Sequence, residues 1–490
     1  MLPSVTDLVF ILLLVSLTYG RLAPRLLWDG DVGWHIRNGE NILSSHAIPT
    51  SDSFSATRAG QPWYSWEWLY DVALGWTHSV AGLNGVVFLT AVIIAVTLSL
   101  VFRRALLRGT SLPATIFLFV LCLVASSIHF LARPHVVSWF LGMIWFWALE
   151  DYERTGKYGA VWLFPSLMML WVNLHGGFIL GFLLLGIFLA GAAAEVVFHR
   201  ENPNKAVAMG RLKIISLVIA GCAFASLINP YSYKLHAHVY EYLTNRFYMQ
   251  HIDEFRAPNL RGLPAQAFVL LLVVSVLAIW RAKAKLRPSA WLILIFCAFS
   301  GLWAARNIPI AAMLLVCVVA PLVPGKANIA ALRDMRLDTV ESRFKGHLWP
   351  VLVVIFTCGA LLAGGRLFHR QVIDAHFDPH RFPVQAVETL AHRGIKDPVF
   401  SLDAWGGYLI YSRYPEQRVF IDDRHDFYGE AYLREYLKVL HLEPGWKDIL
   451  DSWGVNLVVF PAKAKLSTEL SKAGWKAIYQ DETAAIFARQ

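Results

Sequence analysis

About eleven separate runs of mostly apolar residues decide what this chain can become. Crossing a bilayer as a helix takes about 20 such residues. Runs of that kind begin near Leu8, Asn84, Pro113, Val136, Tyr158, Phe178, Ile214, Pro264, Ser289, Ile308 and Trp349. The 490-residue chain is 56% hydrophobic and only 16% charged, more apolar than a soluble core of that length requires. The pattern predicts an α-helical polytopic membrane protein with about 11 transmembrane helices. The stretch 65–79 is short, holds Glu67 and Asp71, and is rich in Trp and Tyr, so it reads as an interfacial helix.

Basic residues gather in alternate loops. The groups are Arg103, Arg104 and Arg108; Arg154 and Lys157; Arg200, Lys205, Arg211 and Lys213; Arg281, Lys283, Lys285 and Arg287; and Lys326, Arg333, Arg336, Arg343 and Lys345. The positive-inside rule makes these loops and the N-terminus cytoplasmic. The first loop, the connections near Arg133, Asn173 and Arg306, and the tail then face the opposite side. Arg21 and Arg25, after the first run, vote the other way and are outnumbered. The net charge of +9 follows mostly from this orientation. No long basic run suggests nucleic acid, so bilayer lipid is the expected partner. All five cysteines lie within apolar runs, which argues against a disulfide framework or a thiolate metal cluster. The first run lacks a basic leader and reads as a retained helix.

Two domains are expected: a membrane domain over 1–366, with a functional first outer loop over 23–83, and a soluble α/β domain over 367–490. Within the first loop, one helix should start after Asp31 and end around Ser45. In the tail, strand-like runs at 399–402, 419–421 and 457–460 alternate with helical stretches, and 475–479 with 484–487 suggest a closing hairpin. A second outer loop over 229–262 carries interfacial aromatic residues. Its His236 and His238 are spaced to face different sides of a helix, which disfavours metal binding. No internal repeat appears, which counts against transporter folds built from two similar halves.

This topology places a mixed polar set at one membrane face. The run Trp28-Asp-Gly-Asp-Val-Gly-Trp-His35 supplies Asp29, Asp31 and His35, and Glu67 follows in the same loop. Arg133 and His135, Asn173 and His175, Asn229 and Tyr231, and Arg306 and Asn307 join them from other loops. Carboxylates serve as general bases or metal ligands, and arginines and asparagines can hold a phosphate. Each item also has an ordinary structural role. Asp-Gly-Asp is good turn chemistry with Asp31 placed to cap a helix, the arginines can anchor helix ends, and Asn173 can cap a tight connection. In the tail, Asp403, Trp405, Tyr408, Asp422, Asp423 and Arg424 form a further candidate group around the strand at 419–421.

Asp31, the helix through Ile42-Leu43, Ile48-Pro49, Gly60-Gln-Pro-Trp63 and Trp66-Glu67-Trp68 resemble the first periplasmic loop of bacterial C-type glycosyltransferases. That group includes the lipid A aminoarabinose transferases and the protein O-mannosyltransferases. The sequence is similar over most of its length to a widespread group of bacterial multi-span glycosyltransferase-like proteins. There the match takes in Trp34-His35-Ile36, Arg133-Pro134, Asn173-Leu-His-Gly-Gly177 and Arg306-Asn-Ile-Pro309. The segment Leu402-Asp-Ala-Trp-Gly-Gly-Tyr-Leu409 is similar in layout to the Trp-Trp-Asp-Tyr-Gly region of oligosaccharyltransferases. It lacks the Trp-Trp pair, so sequon binding is not carried over.

The resemblance implies a bacterial inner-membrane enzyme that moves a sugar from a polyprenyl-phosphate donor to an acceptor glycan, lipid or protein at the periplasmic face, with inversion. By spacing Asp31 matches the family's first-loop acid, Asp29 is its near rival and Glu67 resembles the second acid. Gly30 stands where many members place a carboxylate. Arg133, His135, Arg306, Asn307 and His35 would hold the donor phosphate. No cofactor is otherwise implied, although Asp29 and Asp31 could bind a divalent cation, Mg or Mn. Two rival readings remain at this level. A lipid-linked glycan transporter would carry charges through mid-bilayer positions, and a non-catalytic envelope scaffold would depend on its tail alone.

Overall fold

Helices form wherever the sequence carries an apolar run, because a backbone in lipid must satisfy its own hydrogen bonds. The computed structural model describes residues 3–20, 22–198, 202–282, 286–323, 341, 347–367 and 370–489. Of the basic residues used for topology, Arg21, Arg200, Lys283, Lys285, Lys326, Arg333, Arg336, Arg343 and Lys345 lie outside the described residues. The helices run α1 (Val5–Thr18), α2 (Asp31–Ser45), α3 (Trp68–Leu107), α4 (Leu112–Ser126), α5 (His135–Thr155), α6 (Phe164–Leu174), α7 (Ile179–Phe198), α8 (Asn202–Ser226), α9 (Tyr233–Thr244) and α10 (Arg246–His251). They continue with α11 (Leu263–Ala282), α12 (Pro288–Trp303), α13 (Ile308–Val319) and α14 (Leu348–Leu362). Among the described residues, six helical segments are long and apolar enough to cross a membrane and four shorter apolar helices accompany them. The chain is a multi-pass membrane protein.

Helix α3 is broken at Ala81 and Gly82, where Gly82 takes φ +58°. The break separates the aromatic, acidic segment 68–80 from the apolar segment beyond Asn84, which is the division the composition predicts.

The chain divides into two compact units. One comprises Met1–Ser16, Thr90–Phe130 and Pro134–Ala360; the other comprises Leu17–Leu89, Leu131–Arg133 and Leu361–Gln490. In the first unit α13 is buried on almost every side, as an all-apolar helix at the centre of a bundle should be. Its charged knots are internal: Arg104 pairs with Glu150 at 2.6 Å and Asp151 at 2.7 Å, and Arg211 pairs with Glu195.

The second unit joins the first loop to the tail. After the short strands β1 (Arg366–Leu367) and β2 (Arg370–Gln371), the tail builds one four-stranded sheet from β3 (Val399–Ser401), β4 (Leu457–Pro461), β5 (Lys476–Gln480) and β6 (Ala484–Ala488). The order is β3-β4-β6-β5, with β3 and β4 parallel and the other two pairings antiparallel. Helices α15 (Val384–His392), α16 (Asp403–Arg413), α17 (His425–His441), α18 (Trp446–Ser452) and α19 (Lys465–Lys472) complete it. Residues 419–421, expected as a strand, instead make isolated bridges. Val419 pairs in parallel with Val399 on one side and with Ser55 of the first loop on the other. The loop adds to the sheet edge through Ala56 N–H to Val419 O at 2.8 Å and Val419 N–H to Phe54 O at 3.2 Å.

Helix α2 is held by two backbone-close contacts. A Cβ on Gly407 of α16 would strike the carbonyl of Gly30, and a Cβ on Gly30 would strike the carbonyl of Ala404. Further along, a Cβ on Gly39 would strike the carbonyl of Asp71 in α3. Overpacking such a contact costs roughly 1–3 kcal/mol. Gly407→Ala is therefore expected to lower the thermal midpoint of the detergent-solubilised protein by several degrees. Gly186→Ala, at a helical position with open space around it, should leave the midpoint unchanged or raise it slightly. Equal midpoints for the two variants would contradict the close packing.

Candidate functional site

The first loop bends so that α2 begins at Asp31 itself. Gly30 occupies the N-cap without a side-chain bond, and Asp29 Oδ1 accepts the Asp31 N–H at 3.0 Å. The capping role expected of Asp31 thus belongs to Asp29, and the Asp31 carboxylate turns to side chains. Its Oδ1 accepts the Trp34 indole N–H at 2.9 Å, and its Oδ2 lies 3.0 Å from Arg133 Nη2. Arg133 also donates Nη1 to Asp29 Oδ2 at 2.9 Å. One guanidinium therefore spans both aspartates.

Asp423, from the segment between Val419 and α17, completes this group. Carboxylate oxygens of Asp29, Asp31 and Asp423 all lie within 4.8 Å of one another. A second set, Asp403, Asp423 and His425, meets the same limit. His425 Nε2 is 3.0 Å from Asp403 Oδ2.

Burial is the largest influence on these groups. It lifts the Asp31 carboxyl to about 6; Arg133 opposes the rise and Asp29 adds to it. Asp423 stands well above the usual carboxylate range through burial and then the negative charges of Asp31, Asp403 and Asp29. Burial works against a charge on His425 too, but the hydrogen bond and charge of Asp403 outweigh it and raise its pKa. A histidine whose charged form is favoured is the weaker metal ligand, because metal binding needs the neutral ring. The all-oxygen set of Asp29, Asp31 and Asp423 suits a hard divalent cation such as Mg or Mn better, and its crowded negative charge is what such an ion would neutralise.

Next to Asp423 lies a clamp that the sequence does not announce. Asp422 is fully buried and pairs with Arg424 through two bonds of 2.8 Å, and it accepts Tyr428 O–H at 2.9 Å. Arg424 also reaches Asp52 of the first loop at 2.8 Å and lies over the Trp63 ring at 4.6 Å. Burial would raise the Asp52 carboxyl, but Arg424 and the Ser55 bonds outweigh it and hold it low. Asp422 and Arg424, expected as site residues, are thus internal to this clamp. Trp405 donates to Arg381 O at 2.9 Å, and Tyr408 packs on Phe377 and Phe382, so both are buried in the tail's core.

His35 and Glu67 stand one layer behind Asp31. His35 Nδ1 is 2.6 Å from Asp71 Oδ1, and its Nε2 is 3.8 Å from Glu67 Oε2. Asp71, Asn38, Asp52 and His425 are the residues that sequence reasoning did not assign. The i, i+4 spacing of Glu67 and Asp71 was the available signal for one of them.

The other expected residues belong to the first compact unit. His135 Nε2 is 2.8 Å from His129 O. Asn173 donates to Met169 O and Ile228 O, both at 2.8 Å, and Asn229 Oδ1 accepts Tyr231 N–H at 2.9 Å. His175 Nδ1 meets Ser138 Oγ at 2.7 Å, Arg306 lies 4.5 Å from the Phe255 ring centroid, and Asn307 donates to Ser300 O at 3.3 Å.

No protein-family model matches this sequence, and no curated protein matches it. Solved structures do. The chain aligns with the apo oligosaccharyltransferase of Archaeoglobus fulgidus at a TM-score of 0.53 and 10% identity, over 93% of this chain and 69% of that one. The same enzyme tethered to an acceptor peptide containing the NVT sequon gives 0.50 and 11%, over 99% and 74%. The chain shares the fold of that oligosaccharyltransferase. The arabinofuranosyltransferase AftD from Mycobacteria aligns at 0.47 and 12% identity, over 99% of this chain and 39% of AftD. Within this fold the carboxylate group sits in the unit that joins first loop and tail.

Removing one partner of a buried ion pair typically costs about 3–5 kcal/mol. Arg424→Leu would strand both Asp52 and Asp422, so it should destabilise the first-loop and tail unit by that order. Limited proteolysis should then cut residues 46–66 readily, whereas a wild-type cleavage pattern would contradict the clamp.

Proposed function

We propose that this protein is a membrane glycosyltransferase that moves a sugar, with inversion, from a polyprenyl-phosphate donor to a hydroxyl of an acceptor glycan, lipid or protein. The reading places the reaction at the periplasmic face of a bacterial inner membrane, with the donor's lipid tail remaining among the apolar helices. The observation that supports it best is the convergence of Asp29, Asp31 and Asp423 beside Arg133, in a fold shared with an oligosaccharyltransferase.

Asp31 is the base in this mechanism. It takes the proton of the acceptor hydroxyl as that oxygen forms its bond to the anomeric carbon. The bond from that carbon to the phosphate oxygen breaks, and the lipid phosphate leaves with the electron pair. A carboxylate lifted to about 6 is well matched to this task near neutral pH, because it is ionised yet more basic than an exposed aspartate. Arg133, held by Asp29 and Asp31, would stabilise the departing phosphate in this reading. Asp29 and Asp423, beside Asp31, would hold a divalent cation, whose charge would offset that of the leaving group.

The test uses the full chain in lipid nanodiscs and a panel of undecaprenyl phosphates radiolabelled in mannose, glucose, galactose or arabinose. Asp31→Asn should lower sugar release by roughly 10²–10⁴-fold, the usual range for loss of a general base. Because the ionised form is active, wild-type turnover should fall about tenfold per pH unit below about 6 and level off above it. Full turnover by both Asp31→Asn and Asp29→Asn would overturn the assignment. EDTA should inhibit and added Mg or Mn should restore turnover if Asp29 and Asp423 hold the cation as proposed.

A further inference from the structure

The tail carries two tryptophans that its core does not use. Of its four, Trp405 is buried and bonded to Arg381 O, and Trp453 stacks on Tyr432 at 4.2 Å and donates to Glu435 Oε2 at 3.2 Å. Trp446 and Trp475 are half-buried, and among the described residues neither meets another aromatic ring. Each has a cation over its ring instead. Lys447 Nζ lies 5.5 Å from the Trp446 centroid, and the Arg489 guanidinium carbon 5.1 Å from that of Trp475. Trp446 opens α18 and Trp475 stands just before β5, so separate elements bring them together. Both line an open pocket of about 360 Å³, which Lys447, Asp451 and Arg489 also line. Asp451 accepts from Arg489 there.

The sheet separates this pocket from the carboxylate group. β3 and β4 run parallel, and Asp403 follows the end of β3. The pocket is at the other end, where α18 leads into β4, Trp475 into β5, and Arg489 follows β6. Ala488 of β6 pairs there with Leu457 at the start of β4 and with Lys476 at the start of β5. A second open pocket, of about 340 Å³, shares Arg489 and is lined by Asp397 and Asn456.

We propose that this end of the tail is a saccharide-binding site, which takes a neutral sugar ring of a glycan against Trp446 and Trp475 and holds its hydroxyls with Asp451 and Arg489. The site goes beyond the transferase reading and stands whether or not that reading holds. A sugar ring offers the two kinds of surface that the pocket offers. Its C–H face is apolar and packs on an indole, and its hydroxyls both donate and accept. A carboxylate that accepts stands beside a guanidinium that donates, which matches two neighbouring hydroxyls. Pairing with Asp451 offsets the charge of Arg489, which suits an uncharged ring. The volume falls in the range of about 300–1,000 Å³ usual for small-molecule sites. Because both pockets share Arg489, a second sugar unit can continue toward Asp397 and Asn456.

Saturation-transfer NMR on the full chain in nanodiscs tests the site, with mannobiose, cellobiose, galactobiose and arabinobiose as probes and empty nanodiscs as the blank. At least one probe should receive saturation at its ring C–H protons at millimolar concentration. Trp446→Ala and Trp475→Ala should each weaken its binding about two- to tenfold, the usual worth of one aromatic contact, and the double variant should abolish the transfer. Two milder variants guard against misfolding: Trp475→Phe, which keeps an aromatic face, should retain binding, and Asp451→Asn should weaken it with the thermal midpoint unchanged. Asp31→Asn, in the carboxylate group, should bind the probe as the wild type does. Silence from every probe would overturn the proposal. So would wild-type affinity in Asp451→Asn, transfer that survives in the double alanine variant, or transfer lost in Asp31→Asn.

Discussion

The site depends on how closely helix α2 can approach α16. Gly30 and Gly407 bring the two backbones together with no room for a side chain on either. That contact sets the start of α2 against the tail, and with it the distance from Asp29 and Asp31 to Asp423. A carboxylate at Asp423 would otherwise be one more acid after a buried strand. Brought to α2, it becomes part of a group whose mutual repulsion and burial push its protons on. The departure at Gly30 from the pattern of many related loops has its physical reason here. A carboxylate at that position would have to pass through the Ala404 carbonyl.

The clamp around Arg424 supplies the rigidity this arrangement needs. Collecting carboxyl groups away from water is unfavourable, and it persists only where the surrounding structure fixes it. Arg424 bridges Asp52 of the first loop and Asp422 of the tail within a cage of Trp63, Phe54 and Phe427. Neighbouring residues then take opposite roles. Asp422 turns inward to the guanidinium and is lost to chemistry, while Asp423 turns toward Asp31. Loop and tail also share the Val419 bridges, so the acids from the two ends of the chain are set by one body.

Much of this was legible in the sequence, and the limits are instructive. Apolar runs mark helices because lipid leaves the backbone no alternative, so α4 to α8 and α11 to α13 fall on the runs the composition marks, whereas α9 and α10 form in the polar stretch between them. The Asp29 and Asp31 pair, Glu67 and Arg133 were visible as polar residues in loops flanked by apolar spans. Their grouping with Asp423 was not, since nothing local encodes a contact between positions almost 400 residues apart in the sequence. Nor could the sequence separate Asp422 from Asp423, which differ only in the direction each side chain takes. The strand expected at 419–421 became isolated bridges because its partners are single residues on either side. Asp71 was hidden for another reason: it lies in a helix whose apolar and aromatic neighbours make an ordinary buried residue the simpler expectation.

The two first-loop acids occupy different electrostatic settings, and that difference assigns their roles. Burial raises both, but Asp31 faces Arg133 at 3.0 Å and accepts an indole N–H, which stabilise its anion and keep its pKa near 6. Glu67 has the buried Asp71 as its strongest charged neighbour, and so it is carried well above its ordinary value. Neighbouring carboxyl groups in such different settings differ in how readily each gives up its proton, which is the basis on which one fold separates acid and base roles.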